Sequence, residues 1–357
     1  MATLRSQRHS VVGLDIEPSY LAAAEVKAAG HGSISVERAA TAPLSPGLMR
    51  DGEVTDVEAL AVELRTFFRE HKLSRRVRVG VANQRIVMRT IDMPRLGNPK
   101  DLATAIRFQA QEHVPMPLDQ AVLEHQTLGD VETPDGPRTR VVLVAARRDM
   151  VSRLLAAVRQ AGLRPEGIDL SAFAMIRALG AQSEPEEDGA AVLYVGIGGL
   201  TNLAVALGKQ CVFTRVMAGG LEGMAVALAE RRGLTLADAR LWLEHVGLQT
   251  PAEEVEGEEE IVSEARAVLI EGVERVADEI RQSLDFYATQ LDVPAVRRAM
   301  VCGPALAVPG FLERLGEALG IPVTEGRIGE AVPGGLDAGD SGRLAVAAGL
   351  AVEERSA

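Results

Sequence analysis

Two stretches of this chain read as imperfect copies of one another, and a duplication constrains a fold more than any single motif. The first is Val12-Gly13-Leu14-Asp15-Ile16-Glu17-Pro18-Ser19-Tyr20-Leu21-Ala22. The second is Tyr194-Val195-Gly196-Ile197-Gly198-Gly199-Leu200-Thr201-Asn202-Leu203. Each is an apolar run, a tight polar turn and a second apolar run, the signature of a β-hairpin. In a phosphate-binding hairpin the turn carries an acid that orients a metal, and glycines that let backbone N–H groups approach phosphates. The first copy keeps the acid, Asp15, but has Glu17 and Pro18 where small residues would help. The second keeps Gly198 and Gly199 but has Gly196 where the acid would stand.

The segments around the copies are organised alike. After the first hairpin (strands at Val11–Asp15 and Leu21–Lys27) come a strand at Ser33–Glu37, a helix at Asp56–His71 and a buried strand at Val77–Val81. The helix places Val57, Leu60, Ala61, Leu64, Phe67 and Phe68 on one face, and Thr55 with Glu58 reads as its capping box. A block over residues 85–161 has the proportions of an inserted α/β subdomain. It has a strand at Ile86–Met93 and a helix opened by Asn98-Pro99 and stopped before Pro115. Two strands, Val122–Leu128 and Arg140–Ala146, follow across a polar loop at Glu132–Arg138, then a helix ended by Gly162. Gln182–Gly189 reads as a linker. The second hairpin is followed by a strand at Gln210–Met217 and helices at Leu221–Arg232, Thr235–Val246 and Ile261–Gln290. Last come a strand at Arg298–Cys302, a turn at Cys302-Gly303-Pro304, a helix opened by Pro309 and a helix at Arg343–Val352. Residues 1–84 with 162–186, and 187–220 with 296–357, read as the two lobe cores. The insertions are 85–161 and 221–295.

At 357 residues the chain is long enough for two such lobes. Aromatic residues make up 3%, so the core is built from Leu, Val, Ile and Ala. A net charge of -12 argues against non-specific nucleic-acid binding, which needs a basic footprint. Arg75, Arg76 and Arg78 read as a solvated strand edge. Cys211 and Cys302 sit in apolar runs and read as buried free thiols. The uncharged run Ala190–Gly208 is broken at its centre by glycines, so two strands and a turn fit it better than a membrane span. Met1–Ser10 lacks an apolar signal core, which predicts a cytoplasmic protein. His113, His125 and His245 are scattered without metal-ligand spacing, and no Walker A pattern or nucleophile elbow occurs.

A hairpin with a third strand, a helix and an insertion, all occurring twice, is the layout of the duplicated ribonuclease-H-like (actin-like) α/β fold. Within it the chain resembles PilM-like proteins, the actin-like proteins of type IV pilus assembly related to FtsA. The resemblance spans Val11–Val352 and is carried most by Ile106–Leu128 (IRFQAQEHVPMPLDQAVLEHQTL), with its acidic-aromatic helix and Pro-x-Pro break. Pro94, Val141–Arg147, Glu279–Tyr287 (EIRQSLDFY) and Val301–Leu315 (VCGPALAVPGFLERL) add to it. The resemblance implies an ATP-sized cleft between the lobes. Asp15, Ser19, Gly198, Gly199, Thr201, Asn202 and Gly303 would line it, with Asp15 orienting magnesium. The chain departs from the family there. Glu17 replaces a glycine, Ala22 a lysine and Gly196 an acid. Arg240 and Leu243 stand where Glu and Lys are usual, and Gly303 is single where a pair is usual. Together these predict weakened ATP and Mg binding, and no catalytic residue is assigned.

The resemblance further implies a non-enzymatic adaptor that binds the N-terminal cytoplasmic peptide of a PilN-like inner-membrane protein, recruited to the inner face of that membrane. Its peptide groove would lie between the first lobe and its insertion, with Val87, Arg89, Ile91 and Phe108 as candidates. Two alternatives remain: an active ATPase of the same fold, and an FtsA-like polymer. A homodimer or higher assembly is left open.

Overall fold

The computed structural model describes residues 11–28, 34–96, 98–134, 136–180, 189–290, 293–328 and 338–352. The linker expected at Gln182–Gly189, except for Gly189, and the segment Met1–Ser10 lie outside the described residues.

The first half contains β1 (Val12–Ile16), β2 (Tyr20–Ala28), β3 (Ile34–Pro43), a short hairpin of β4 (Met49–Arg50) and β5 (Glu53–Val54), α1 (Val57–Glu70) and β6 (Arg76–Val81). The insertion brings β7 (Val87–Pro94), α2 (Pro99–His113), β8 (Ala121–Thr133) and β9 (Gly136–Arg147). Then follow α3 (Arg148–Gln160), β10 (Arg164–Leu170) and α4 (Ser171–Gly180). The second half runs β11 (Ala191–Ile197), β12 (Leu200–Leu207), β13 (Gln210–Ala218), α5 (Leu221–Arg232), α6 (Leu236–Val246) and α7 (Glu259–Ala288). It closes with β14 (Val296–Cys302), α8 (Phe311–Leu319), β15 (Val323–Glu325) and α9 (Ala338–Ala351).

The duplication is explicit in the sheets. One has the order β10-β6-β1-β2-β3 and the other β15-β14-β11-β12-β13. In both, the first three strands are antiparallel and the last two add in parallel on the far side of the first. The uncharged run at 190–208 is β11 and β12. Among the described residues no helix is long and apolar enough to cross a membrane.

The last helix of each half crosses to the other. Helix α4 lies against β11, β12 and β13 as well as β10 and β6, whereas α9 lies on β1, β2, β3 and β6, and the two helices pack on each other. The expected assignment of 296–357 to the second lobe core therefore departs from the packing at α9. Leu344, Ala345, Ala347 and Ala348 join the apolar cluster of the first sheet. The contact is at backbone distance. A Cβ on Gly13 would lie 1.9 Å from Ala347 O, and one on Gly349 would lie 1.8 Å from Ala174 O. Arginines finish the dock by accepting the role of C-terminal cap. Arg78 donates to Leu350 O (2.8 Å) and Val352 O (2.6 Å), and Arg177 to Gly349 O (3.0 Å). These carbonyls have no partner within the helix, and cations favour that end. Arg78 is thus not on a solvated edge, because β6 lies between β1 and β10. Its neighbour Arg76 pairs with Glu166 at 2.8 Å.

The insertion carries a separate apolar cluster of Ile91, Met93, Ile106, Ala110, Val114, Val141, Leu143 and Ala145, between α2 and the sheet β7-β9-β8. Helix α3 packs instead on α1, β5 and β10, and its Leu154, Ala157 and Val158 belong to the first lobe. In the second half, α5, α6 and α7 share one cluster with β11, β12 and β14, so that insertion has no core of its own.

Local departures have local causes. The expected polar loop Glu132–Arg138 is mostly strand, because β8 and β9 continue as a two-stranded arm around Gly136. Asp56, not Thr55, caps α1 by accepting from Glu58 N and Ala59 N at 3.0 Å each, while the Thr55 hydroxyl bonds Gly47 O. Asn98 caps α2 as expected, accepting from Lys100 N at 3.0 Å.

Overpacking a close contact costs about 1–3 kcal/mol, sometimes more. Gly13→Ala should therefore lower unfolding stability by about 2–3 kcal/mol. The exposed helical Gly223 has nothing within 4 Å of a built Cβ, so Gly223→Ala should raise stability by about 0.5–1 kcal/mol. Urea titrations of the two variants check the contrast.

Candidate functional site

The two copied turns touch. In the first, Ile16 pairs with Leu21 and Glu17 N–H donates to Tyr20 O at 3.0 Å. In the second, Ile197 pairs with Thr201 and Gly198 N–H donates to Leu200 O at 3.0 Å, so this turn is one residue shorter. Between them Gly199 N–H donates to Glu17 Oε2 at 3.0 Å. A Cβ on Gly199 would lie 2.5 Å from Pro18 Cδ, and one on Gly198 would lie 3.2 Å from Glu17 Oε2. The glycines expected to admit a phosphate admit the first hairpin.

Burial dominates the electrostatics beneath the turns. It raises the Asp15 carboxyl to about 7. Glu17 rises to about 8, through burial first and the neighbouring Asp15 charge second, against the pull of the Gly199 and Leu200 N–H groups. Burial also drives the Tyr20 hydroxyl well above its ordinary value, and the Cys302 thiol to about 12. Cys211 is likewise a buried free thiol raised to about 12.

A cleft of ≈ 430 Å³ opens between the halves beside this contact. Ser19 and Tyr20 of the first turn, the end of β3, Gly198, α6, Pro304 and the start of α9 line it. Its charged lining is Glu222, Glu244, Asp340, Arg240 and Arg343. Both arginines are engaged. Arg240 grips Glu222 through two bonds (2.9 and 2.5 Å), and Arg343 bridges Asp340 (3.1 Å) and Glu244 (3.2 Å). Thr41 also donates to Asp340, at 2.9 Å. The Arg343 guanidinium lies 5.9 Å from the centre of the Tyr20 ring. Apart from Arg240, these rim residues carried no sequence signal, since their charges fall in unrelated segments.

Of the residues expected to hold nucleotide, Ser19 and Gly198 line this cleft. Gly303 shapes the turn before Pro304: its φ is +99°, and a Cβ there would meet Ile197 O at 2.6 Å. Asp15, Thr201 and Asn202 are buried away from it. The Thr201 hydroxyl donates to Gly219 O at 3.2 Å, and Asn202 Oδ1 is buried without a hydrogen-bond partner among the described residues. Asp15 borders an enclosed space of ≈ 20 Å³ with Gly52, Gly80 and Ser171. That is room for about one water, whereas magnesium brings several waters in an octahedral shell of radius about 2.1 Å. The residues present do not fit a hydrated magnesium at Asp15. Among the described residues, no group of three His, Cys, Asp or Glu side chains could hold a metal.

The peptide candidates separate. Ile91 is closed off under α2, and Val87 packs on the same cluster. Arg89 is exposed on β7, and Phe108 is 65% exposed on the outer face of α2. A groove of ≈ 240 Å³ lies instead on the other face of the inserted sheet. Gln126, Thr127, Leu128 and Val142 form one wall, Phe173, Ile176 and Arg177 of α4 the other, and Lys209–Cys211 the end. Sequence reasoning missed it because α4 itself was missed.

Unfolded Asp15 and Glu17 release their protons near 3.8 and 4.5, but in the fold they hold them to about 7 and about 8. The folded state binds more protons across that interval, so stability falls as pH rises through it. The lowered carboxyls of Asp92 and Asp149 act only at more acid pH. Urea midpoints taken from about pH 5 to 9 should decline, and Glu17→Gln should flatten the upper part of the decline. A midpoint rising over that range would contradict the assignment.

The sequence profile of the type IV pilus assembly protein PilM matches residues 13–354. A chain solved in a PilM–PilN type IV pilus biogenesis complex is 28% identical, superposes with a TM-score of 0.79, and the match covers 96% of this chain and 98% of that one. Ethanolamine utilization protein EutJ from Carboxydothermus hydrogenoformans (15% identity, TM-score 0.53, 96% and 88% covered) shares the fold. So does MreB5 of Spiroplasma citri bound to ADP (13%, 0.55, 96% and 95%). The fold is therefore actin-like, and the chain belongs to the family of the type IV pilus assembly protein PilM.

Proposed function

We propose that this chain is a non-enzymatic adaptor of type IV pilus assembly, recruited to the cytoplasmic face of the inner membrane by the N-terminal segment of a PilN-like membrane protein. Support comes from the family match and from the similar chain solved in a PilM–PilN complex. The observation that carries the reading is the groove between the inserted sheet and α4. Its walls are apolar at Leu128, Val142, Phe173 and Ile176, and Lys209 and Arg177 sit beside them. Strand β8, which lines the groove, is an edge of the inserted sheet, paired among the described strands with β9 alone. An extended peptide gains affinity from such backbone and register from alternate apolar pockets. Val87 and Ile91 support the wall from the core, whereas exposed Arg89 and Phe108 lie on the α2 side of the sheet, outside this groove.

In this reading the interlobe cleft is a weak nucleotide site. Triphosphate would face Glu222, Glu244 and Asp340 at the rim, with both rim arginines already engaged. In-line phosphoryl transfer needs a metal clamp and a positioned base, and Asp15, buried beneath the first turn, is poorly placed for either role.

Fluorescence anisotropy with labelled N-terminal peptides of the PilN-like protein from the same genome tests the assignment. Saturable binding is expected, independent of ATP. Gln126→Trp, which fills the groove from an exposed position opposite Val142, should weaken it about tenfold, equivalent to ~1.4 kcal/mol. Gly223→Ala should leave it unchanged. No binding by any such peptide overturns the adaptor reading.

A further inference from the structure

The second hairpin retains half of an anion site. The backbone N–H groups of Gly199 and Leu200 both favour the charged form of one carboxyl. That carboxyl belongs to the first hairpin. We propose that the Glu17 side chain is the resident occupant of the second hairpin's phosphate position, fastening the halves together and excluding phosphate chains. This rests on reading the cleft as a weak nucleotide site and is independent of the peptide groove.

The geometry is specific to this pair of turns. Glu17 Oε2 accepts from Gly199 N–H at 3.0 Å, a normal hydrogen-bond length. Pro18 covers the same glycine, and its ring fixes its own backbone angle, so the turn is held over its partner. Any side chain at 199 would collide with both residues. The departures in the two copies are therefore complementary: the acid and proline of one need the bare glycines of the other. A tethered group competes at an effective concentration of about millimolar or above, and pays no association entropy when it binds. The rim adds a second fastening. Arg343 of α9, which packs on the first sheet, bonds Glu244 of α6 in the second half at 3.2 Å. The halves are joined at floor and rim by the chain's own side chains, where an actin-like cleft would use a ligand's phosphates.

Amide hydrogen exchange and calorimetry on the full chain test this with two variants. In the wild type the Gly199 amide should be protected, and inorganic pyrophosphate and Mg-ATP should show no saturable binding up to 1 mM (on the order of the tether's effective concentration). Glu17→Gly should speed Gly199 exchange at least tenfold and raise pyrophosphate affinity at least tenfold. Glu17→Gln, which keeps an acceptor oxygen of the same reach, should stay close to wild type in both. Peptide binding and circular dichroism establish that each variant is folded. Unchanged Gly199 exchange in Glu17→Gly, or tight Mg-ATP binding by the wild type, overturns the proposal. Failure of peptide binding in every protein sinks only the adaptor reading.

Discussion

The near-contact of α9 with β1 and α4 is the constraint that everything else leans on. Helix α9 descends onto β1 at Gly13 and onto α4 at Gly349, at separations that leave no room for a methyl group. Interiors packed to crystal density transmit such constraints instead of absorbing them. Because α4 and α9 each cross to the opposite sheet, the halves share a single continuous core beneath the cleft. The cleft floor is thereby fixed, and the turns of the two hairpins are presented to each other in one registration. The arginines at the end of α9 matter for the same reason: hydrogen bonds from a charged donor to otherwise unpaired carbonyls contribute about 1.5–3 kcal/mol each.

On that floor lie two acids within two residues of one another, Asp15 buried and Glu17 half-buried. Burying carboxyls raises their proton affinity and opposes folding at neutral pH. Asp15 and Glu17 are held there by what surrounds them: the Gly199 and Leu200 amides above Glu17, and β2 and β6 beside Asp15. The arrangement is a compromise in which one turn's acid is tolerated because the other turn offers bare amides. This gives the duplication a meaning beyond ancestry, since the copies have diverged toward each other.

Much of the architecture was legible in the chain. The two hairpins, the helices with a clear apolar stripe (α1, α3, α8) and the caps at Asn98 and Gly162 follow from spacing and turn chemistry. Helix α4 did not, because it is buried on nearly every side and so has no polar face to reveal a period. Strand β10, with Pro165, a bulge and Gly167, has no strand-like alternation. The short hairpin at Asp51-Gly52 carries the Asp-Gly signal for a tight turn, with both residues left-handed, but its strands are two residues each. At the site, the sequence exposed which residues were unusual. It could not show that Glu17 and Gly199 meet, because 182 positions separate them. Arg78 misled for the opposite reason: alternating arginines look like a wet strand face unless a distant helix end needs them.

The crossing of α9 also sets the order in which the chain can mature. The sheet that begins at Val12 leaves the ribosome long before the helix that covers it. Contacts so far apart in sequence form slowly, because a large loop must close before they repay its entropy. Until α9 arrives, the apolar face of β1 and β2 is open to chaperones and to other nascent chains. A nonsense or frameshift lesion near residue 340 would thus cripple the opposite end of the molecule, leaving an uncovered sheet and not merely a shortened tail.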